Sequence, residues 1–216
     1  MELNPLTALS PIDGRYARQT DALRDIFSEC AFMNARVRVE VEWLISLSEA
    51  GFAELPHLSD HGKAFLRGLA DNFSLADCEA IKEIEKTTNH DVKAVEYWIK
   101  NQVAHDEELK SASEFVHFSC TSEDINNTSH AIMLKRGREA LADYLQQIHD
   151  TIAGFAHQWA EIPMLSRTHG QTASPTTVGK EFANVAVRLE RVIEAIRAVK
   201  IYAKMNGAVG NYNAHL

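Results

Sequence analysis

Between Ser28 and Ala50 the apolar residues Val37, Val41, Leu44 and Leu47 recur at steps of three and four, which places them on one face of a helix. Gly51 stands where a C-terminal cap belongs. Inside this stretch Arg36-Val-Arg-Val-Glu-Val-Glu-Trp43 alternates strictly between polar and apolar, which is a strand signal. The helical window around it is much longer than a typical strand, so a helix is predicted. A further helix is expected over Ser59–Asn72, and another from Ser74, where Asp77 three residues on resembles a capping box and Leu75, Cys78, Ile81 and Ile84 form the stripe. Thr87-Thr88-Asn89-His90-Asp91 should break it, because these side chains compete for backbone hydrogen bonds. The pattern resumes with Val92, Val95, Ile99 and Val103. A short segment, Ser113 to Phe118, then leads to Ser119–Asp124, where Thr121 or Ser122 can cap a helix whose positive end the two acids favour.

The longest periodic signal follows. A stripe beginning near Ile125 continues through Leu141, Leu145, Ile148, Ile152, Phe155 and Trp159, predicting one helix from Glu123 to Glu161. At about 1.5 Å per residue it would be roughly 55–60 Å long. Ile162-Pro163 stops it, Met164–Ser174 reads as a loop, and Ser174-Pro175 supplies an N-cap and an N1 proline. A second long helix carries Val178, Phe182, Val185, Leu189, Val192, Ile196 and Val199 toward Met205. Two such stripes cannot be buried on each other alone, so a larger bundle is expected. Residues 1–20, with Pro5, Pro11 and Asp13-Gly14, read as an extended arm. The fold class is therefore all-α: an N-terminal helical domain over 1–111, then the beginning of a long-helix bundle over 112–216. The Gly- and Asn-rich run from Asn206 does not read as a finished terminus, so a truncated chain is expected.

Composition sharpens this picture. Hydrophobic residues make up 45% and charged residues 24% of the 216, as in ordinary globular chains, while 10 Gly and 5 Pro are few enough to favour helix. The net charge of −8 and the scattered Lys and Arg argue against a nucleic-acid partner. With neither an apolar leader nor a bilayer-length apolar run, no membrane partner is expected and a cytoplasmic location is. Cys30, Cys78 and Cys120 are odd in number and lack CxxC spacing, so buried free thiols are expected rather than a disulfide or a zinc site. His57 and His61 have no third ligand nearby, so no metal is expected. GxGxxG, P-loop, GxSxG and HExxH motifs are absent from these residues.

Of ten histidines, His105, His130, His149 and His157 lie inside helical patterns and read as solvated or hydrogen-bonded side chains. Three others sit in polar loops at helix junctions: His90 in TTNHD, His117 before SCTSED, and His169 in SRTHGQT. Helix N-termini offer free N–H groups to carboxylates or phosphates, and an imidazole beside one can exchange protons near neutral pH. Together the loops suggest a catalytic surface shared by helix ends.

DGRY (Asp13–Tyr16), TTNHDVKAVEY (Thr87–Tyr97), EFVHFSCTSEDINN (Glu114–Asn127), LSRTHGQTASP (Leu165–Pro175) and NGAVGNYNAH (Asn206–His215) resemble, in order and over essentially the whole chain, the adenylosuccinate lyase family of the fumarase/aspartase superfamily. The resemblance implies a homotetramer with a central helical bundle of that type and active sites shared between subunits. It also implies a cofactor-free β-elimination releasing fumarate from a succinylated purine nucleotide. Residue by residue, it makes His169 the general acid, Arg15 and Tyr16 nucleotide-binding, and Asn89, His90 and Asp91 a substrate-contacting turn in which His90 could also handle protons. Thr121 and Ser122 would hold a carboxylate or phosphate, His117 would lie near the site, and Gln171 joins the set by adjacency. The family's basic serine loop has no counterpart in these residues, so the 216-residue chain alone is expected to be inactive. Another lyase of the superfamily, such as argininosuccinate lyase or fumarase, and a non-catalytic helical assembly module are the alternatives.

Overall fold

The computed structural model describes residues 6–51 and 54–215. After a 3-10 turn at Asp21–Leu23 come α1 (Arg24–Phe27), α2 (Glu29–Glu49), α3 (Asp60–Asp71), α4 (Leu75–Thr88), α5 (Asp91–Val103) and α6 (Glu107–Ala112). The chain continues with α7 (Ser122–Gln158), β1 (Pro163–Thr168), β2 (Gln171–Thr177) and α8 (Val178–Ala198). It divides into two compact units, Met1–Leu134 with Tyr202–Leu216, and Lys135–Ile201.

In the first unit the helix starts are set by local side-chain chemistry. Ser28 and Ser59 accept the N–H groups of Ala31 and Gly62, each at 3.1 Å, and Ser74 forms a capping box with Asp77. Val37, Val41, Leu44 and Ile45 of α2 pack with Leu66 and Ala70 of α3, Ile81 of α4, and Val95, Trp98 and Ile99 of α5. Val39 belongs instead to a second cluster with Val92 and Ile125. The strand-like alternation at 36–43 thus belongs to a helix buried on more than one side.

The N-terminal segment differs from the extended arm predicted. Pro5 lies outside the described residues, but from Ser10 onward the backbone closes on itself, with Gly14 N–H donating to Ser10 O at 3.0 Å and Tyr16 N–H to Pro11 O at 2.9 Å. Turn-forming residues here find backbone partners within five positions. The free-thiol expectation fails for two cysteines. Packing of α2 against α4 brings Cys30 and Cys78, 48 residues apart, to a Cα separation of 5.7 Å, and they form a disulfide. Sequence spacing could not show it because the helices, not the chain, make them neighbours. Cys120 remains free and half-buried.

The second unit corrects the loop expected at Met164–Ser174, which is an antiparallel hairpin pairing Thr168 with Gln171 and Pro163 with Thr177. His169 (φ 50°) and Gly170 (φ 75°) form its tip, and positive φ at both central positions is what a type I′ turn requires. Pro175 consequently lies in a strand opposite Leu165, and Thr177 caps α8, its hydroxyl accepting Lys180 N–H at 3.2 Å. Gly179 is indispensable there: a Cβ would stand 2.3 Å from Ala156 O and 2.6 Å from the Ala160 backbone. α8 stops at Ala198, short of Met205, and Arg138 donates to Val199 O at 2.5 Å. In the first unit, Lys204 exchanges backbone bonds with the Asn127 amide at 2.9 and 2.8 Å, a pairing that continued helix would forbid.

Closing a loop of this size by the disulfide should contribute about 4 kcal/mol by the chain-entropy model. Peptide mapping of the non-reduced protein should recover the Cys30 and Cys78 peptides linked, and dithiothreitol should lower the denaturation midpoint; unlinked peptides would contradict the bond.

Candidate functional site

In the first unit, three segments with candidate residues converge on one face of α2. Arg36, Glu40 and Trp43 are spaced i, i+4, i+7, so they line one side of that helix. The Arg36 side chain is only 3% exposed; it donates to Asp91 at 2.5 Å and to Asn126 at 2.8 Å, and lies 3.9 Å over the Phe32 ring. Glu40, wholly buried, meets His117 Nδ1 at 2.5 Å, and Trp43 Nε1–H donates to Phe118 O at 2.7 Å. One helix face therefore fixes the 89–91 turn, the 117–118 loop and the start of α7.

The 89–91 turn is shaped by its own residues. Asn89 ends α4 in the left-handed conformation (φ 49°), and His90 caps α5, its Nδ1 accepting Lys93 N–H at 3.2 Å. A neutral His90 in that role carries its proton on Nε2, which lies 3.3 Å from the Ser122 hydroxyl at the start of α7. The structure thus brings His90 and Ser122 together. Burial works to raise the Asp91 carboxyl's pKa, but the charge of Arg36 and the Val92 N–H outweigh it and hold the pKa down.

Thr121 has a different partner from a free ligand. Its N–H and hydroxyl both donate to Asp124 Oδ2 at 3.0 Å, while the Asp124 N–H turns to the Thr121 carbonyl at 3.0 Å. The other oxygen of the buried Asp124 accepts Lys204 Nζ and Asn206 N–H at 3.0 Å and Gly207 N–H at 3.1 Å. Asp124 is the tie between the TSED segment and the NGAVG turn. Burial alone would raise its pKa; the backbone donors and Lys204 reverse the sign and lower it.

Arg15 and Tyr16 are exposed in the turn-rich segment, the guanidinium 5.6 Å from its neighbour's ring centroid. Among the described residues no hydrogen bond or ion pair joins them to the 89–91 turn. In the second unit His169 and Gln171 are exposed, at the tip and the first residue of the returning strand. Sequence reading missed Arg36, Glu40, Asp124 and Lys204 as parts of the site. The available signal was charge inside an apolar helical pattern, at 36 and 40.

The described residues contain no group of three or more His, Cys, Asp or Glu that could hold a metal, and no helix long and apolar enough to cross a membrane.

A carboxylate whose pKa is lowered in the folded state stabilises above its unfolded pKa and loses that contribution as pH falls through the folded one. Asp124→Asn should therefore cost about 1–3 kcal/mol at neutral pH, the range for leaving hydrogen-bonded groups without their charged partner, since Lys204 is partly exposed. The deficit should shrink as pH drops below about 4. Urea unfolding of both proteins across pH 3–8 measures it, and a deficit constant with pH would contradict the assignment.

The chain is similar over its whole length to curated proteins named adenylosuccinate lyase. Identity is 56% to that of Vibrio cholerae, 55% to that of Haemophilus influenzae and 53% to that of Escherichia coli, covering 100% of this chain and 48% of each relative. The chain thus spans about half the length of the curated relatives it matches. Among solved structures it resembles a fumarate lyase from Mesorhizobium sp. BNC1, with TM-score 0.71 and 19% identity over 90% of this chain and 44% of that one. It also resembles β-carboxy-cis,cis-muconate cycloisomerase from Acinetobacter calcoaceticus, with TM-score 0.69 and 21% identity over the same shares. At those identities the likeness concerns the fold. The family model described as Lyase matches residues 14–216, from the DGRY turn through the 89–91 turn, the TSED segment and the His169 hairpin. A match running through every segment that builds the candidate site places this chain in the Lyase family.

Proposed function

We propose that the gene product carrying this sequence is an adenylosuccinate lyase, eliminating fumarate from adenylosuccinate to give AMP and from succinylated aminoimidazole carboxamide ribotide to give its carboxamide ribotide. The observation that carries the reading is the 53–56% identity, across every residue of the chain, to proteins of that name.

The elimination needs a proton removed from the succinyl carbon next to the C–N carbon, a carbanion delocalised into the neighbouring carboxylate, and a proton given to the departing nitrogen. Histidine suits the last task because it changes protonation near neutral pH. His169, exposed on a turn whose two left-handed positions define its backbone, takes that role. His90 and Ser122, at the starts of α5 and α7, face substrate together with Asn89, Asp91, His117 and Thr121; Arg15 and Tyr16 take the nucleotide phosphate, and Gln171 lies beside the acid. None of these steps calls on a cofactor or a metal, and no residue of this chain is assigned as the base.

The working form is a cytoplasmic homotetramer with shared sites, its subunits divided near residue 111 into an N-terminal domain and a bundle domain. Exposed Leu141, Tyr144 and Ile148 on α7 and Val185 and Val192 on α8 supply apolar surface for such a bundle.

The test is release of fumarate from both nucleotides by the purified gene product, with AMP but neither arginine nor malate competing. His169→Gln should lower kcat by about 10²–10⁴-fold, the usual worth of a general acid. Unchanged turnover in that variant, or a wild-type protein inert toward both nucleotides, would refute the reading.

A further inference from the structure

The Glu40 side chain of α2 is wholly buried, with one oxygen 2.5 Å from His117 Nδ1 and the other, Oε2, without a hydrogen-bond partner among the described residues. Burying a carboxylate with half its acceptor capacity unused is costly, and an apolar residue would fill the position at less cost. The loop it holds is itself strained: His117 (φ 65°) and Ser119 (φ 57°) both sit in the left-handed region that non-glycine residues avoid. Trp43, three residues further along α2, pins the intervening Phe118 carbonyl. A half-partnered buried carboxylate and a strained loop found together point to a task for the imidazole.

Resting on the lyase reading above, we propose that Glu40 is a positioning residue that engages His117 through Nδ1, leaving Nε2 as a proton-bearing donor to an anionic oxygen of the substrate.

The reasoning is a proton count. If Glu40 is ionised and His117 protonated, both ring nitrogens carry hydrogen. If Glu40 holds the shared proton instead, it donates to Nδ1 and the neutral ring keeps its hydrogen on Nε2. Either way Nε2 donates. Only when the pair loses this proton does Nδ1–H donate to the carboxylate and Nε2 become an acceptor, which repels an anion. His117 is 18% exposed, so the ring reaches the surface while Nδ1 points inward.

The surroundings favour keeping the proton. Burial pulls the His117 pKa down, but the hydrogen bond and charge of Glu40, with the charge of Glu96, outweigh it and the net direction is up, against a small opposing effect of Lys93. Burial likewise pushes the Glu40 carboxyl up, only partly offset by His117. On α5, Glu96 is itself held by Lys93 at 2.8 Å and Lys100 at 3.3 Å. The Cys120 thiol, pushed up by burial, stays neutral.

The experiment compares wild type, Glu40→Gln, His117→Gln and the double variant of the complete gene product. Histidine hydrogen–deuterium exchange read by mass spectrometry gives the His117 titration midpoint without reference to activity. In Glu40→Gln that midpoint should fall by about one unit, a tenfold loss of proton affinity. The alkaline limb of kcat/KM for adenylosuccinate should move to lower pH with it, mostly through KM, and the KM should recover toward wild type in acid. Adding Glu40→Gln to His117→Gln should change nothing further. An unchanged midpoint in Glu40→Gln, a KM defect equal at every pH, or a further loss in the double variant would each overturn the proposal. If Glu40→Gln fails to fold, Glu40→Asp, which keeps the charge on a shorter arm, should hold the raised midpoint; an ordinary midpoint there would overturn it equally. A wild-type protein inert toward adenylosuccinate would refute the lyase reading, whereas the exchange midpoint decides by itself whether Glu40 controls His117.

Discussion

Burial of Arg36 and Glu40 in the middle of α2 is the constraint around which the first unit is organised. A charge taken out of water must find a partner of opposite sign or a set of hydrogen bonds, because solvation is otherwise lost without compensation. Arg36 is paired with Asp91 and Asn126 and one oxygen of Glu40 with His117, partners that lie 55 to 90 residues further along the chain. Each pairing fixes the turn or helix start that contributes it. The apolar residues interleaved with them, Val37, Val39 and Val41, hold the helix in two cores at once, so the polar face cannot rotate away. Asp124 repeats the device, a buried carboxylate drawing Lys204, Asn206 and Gly207 back to the start of α7.

This arrangement links rigidity to chemistry. Side chains that would contact substrate lie at helix starts and in left-handed turns, where backbone groups are free and the chain is shortest in partners of its own. In the first unit, the precision of the 89–91 turn and of His117 comes from α2, which touches no substrate in the proposed scheme. Helix termini alone would supply N–H groups and a favourable dipole; the interior charges supply orientation and, at His117, a protonation state. The Cys30–Cys78 bond joins the beginning of α2 to α4, the helix capped by Asn89 at the start of the 89–91 turn, so it ties α2 and α4 covalently.

The second unit solves a different problem. His169 occupies a residue conformation that is unfavourable for a β-carbon, and the hairpin makes it tolerable because a type I′ turn matches the twist of the flanking strands. An exposed imidazole on a two-residue turn has little backbone freedom and full access. Close approach at Gly179, where any side chain would collide with the Ala156 and Ala160 backbone, sets where α8 starts relative to the end of α7.

By itself, the sequence determined most of the long helices and several of their starts, but not the cap of α8, which falls at Thr177 rather than Ser174, nor its end at Ala198. Three- and four-residue periodicity, Ser28, Ser59 and Ser74 before their helices, and the break at Asn89 are local signals, and local chemistry decided them. It also marked the loops at His90, His117 and His169, since polar residues crowded between helical stripes have few structural reasons to be there. Tertiary structure alone decided the rest. The hairpin at 163–177 was hidden because its half-buried positions, Met164 and Ser166 in the first strand, are not marked by alternating apolar and polar residues in the sequence. Cys30 and Cys78 become neighbours only when α2 packs on α4. Glu40 and Asp124 acquire their roles only when burial removes their water, since a carboxylate on a helix is read as solvent-facing until packing shows otherwise. Periodicity records which face of an element is dry; it does not record which distant residue will meet a charge left on that face.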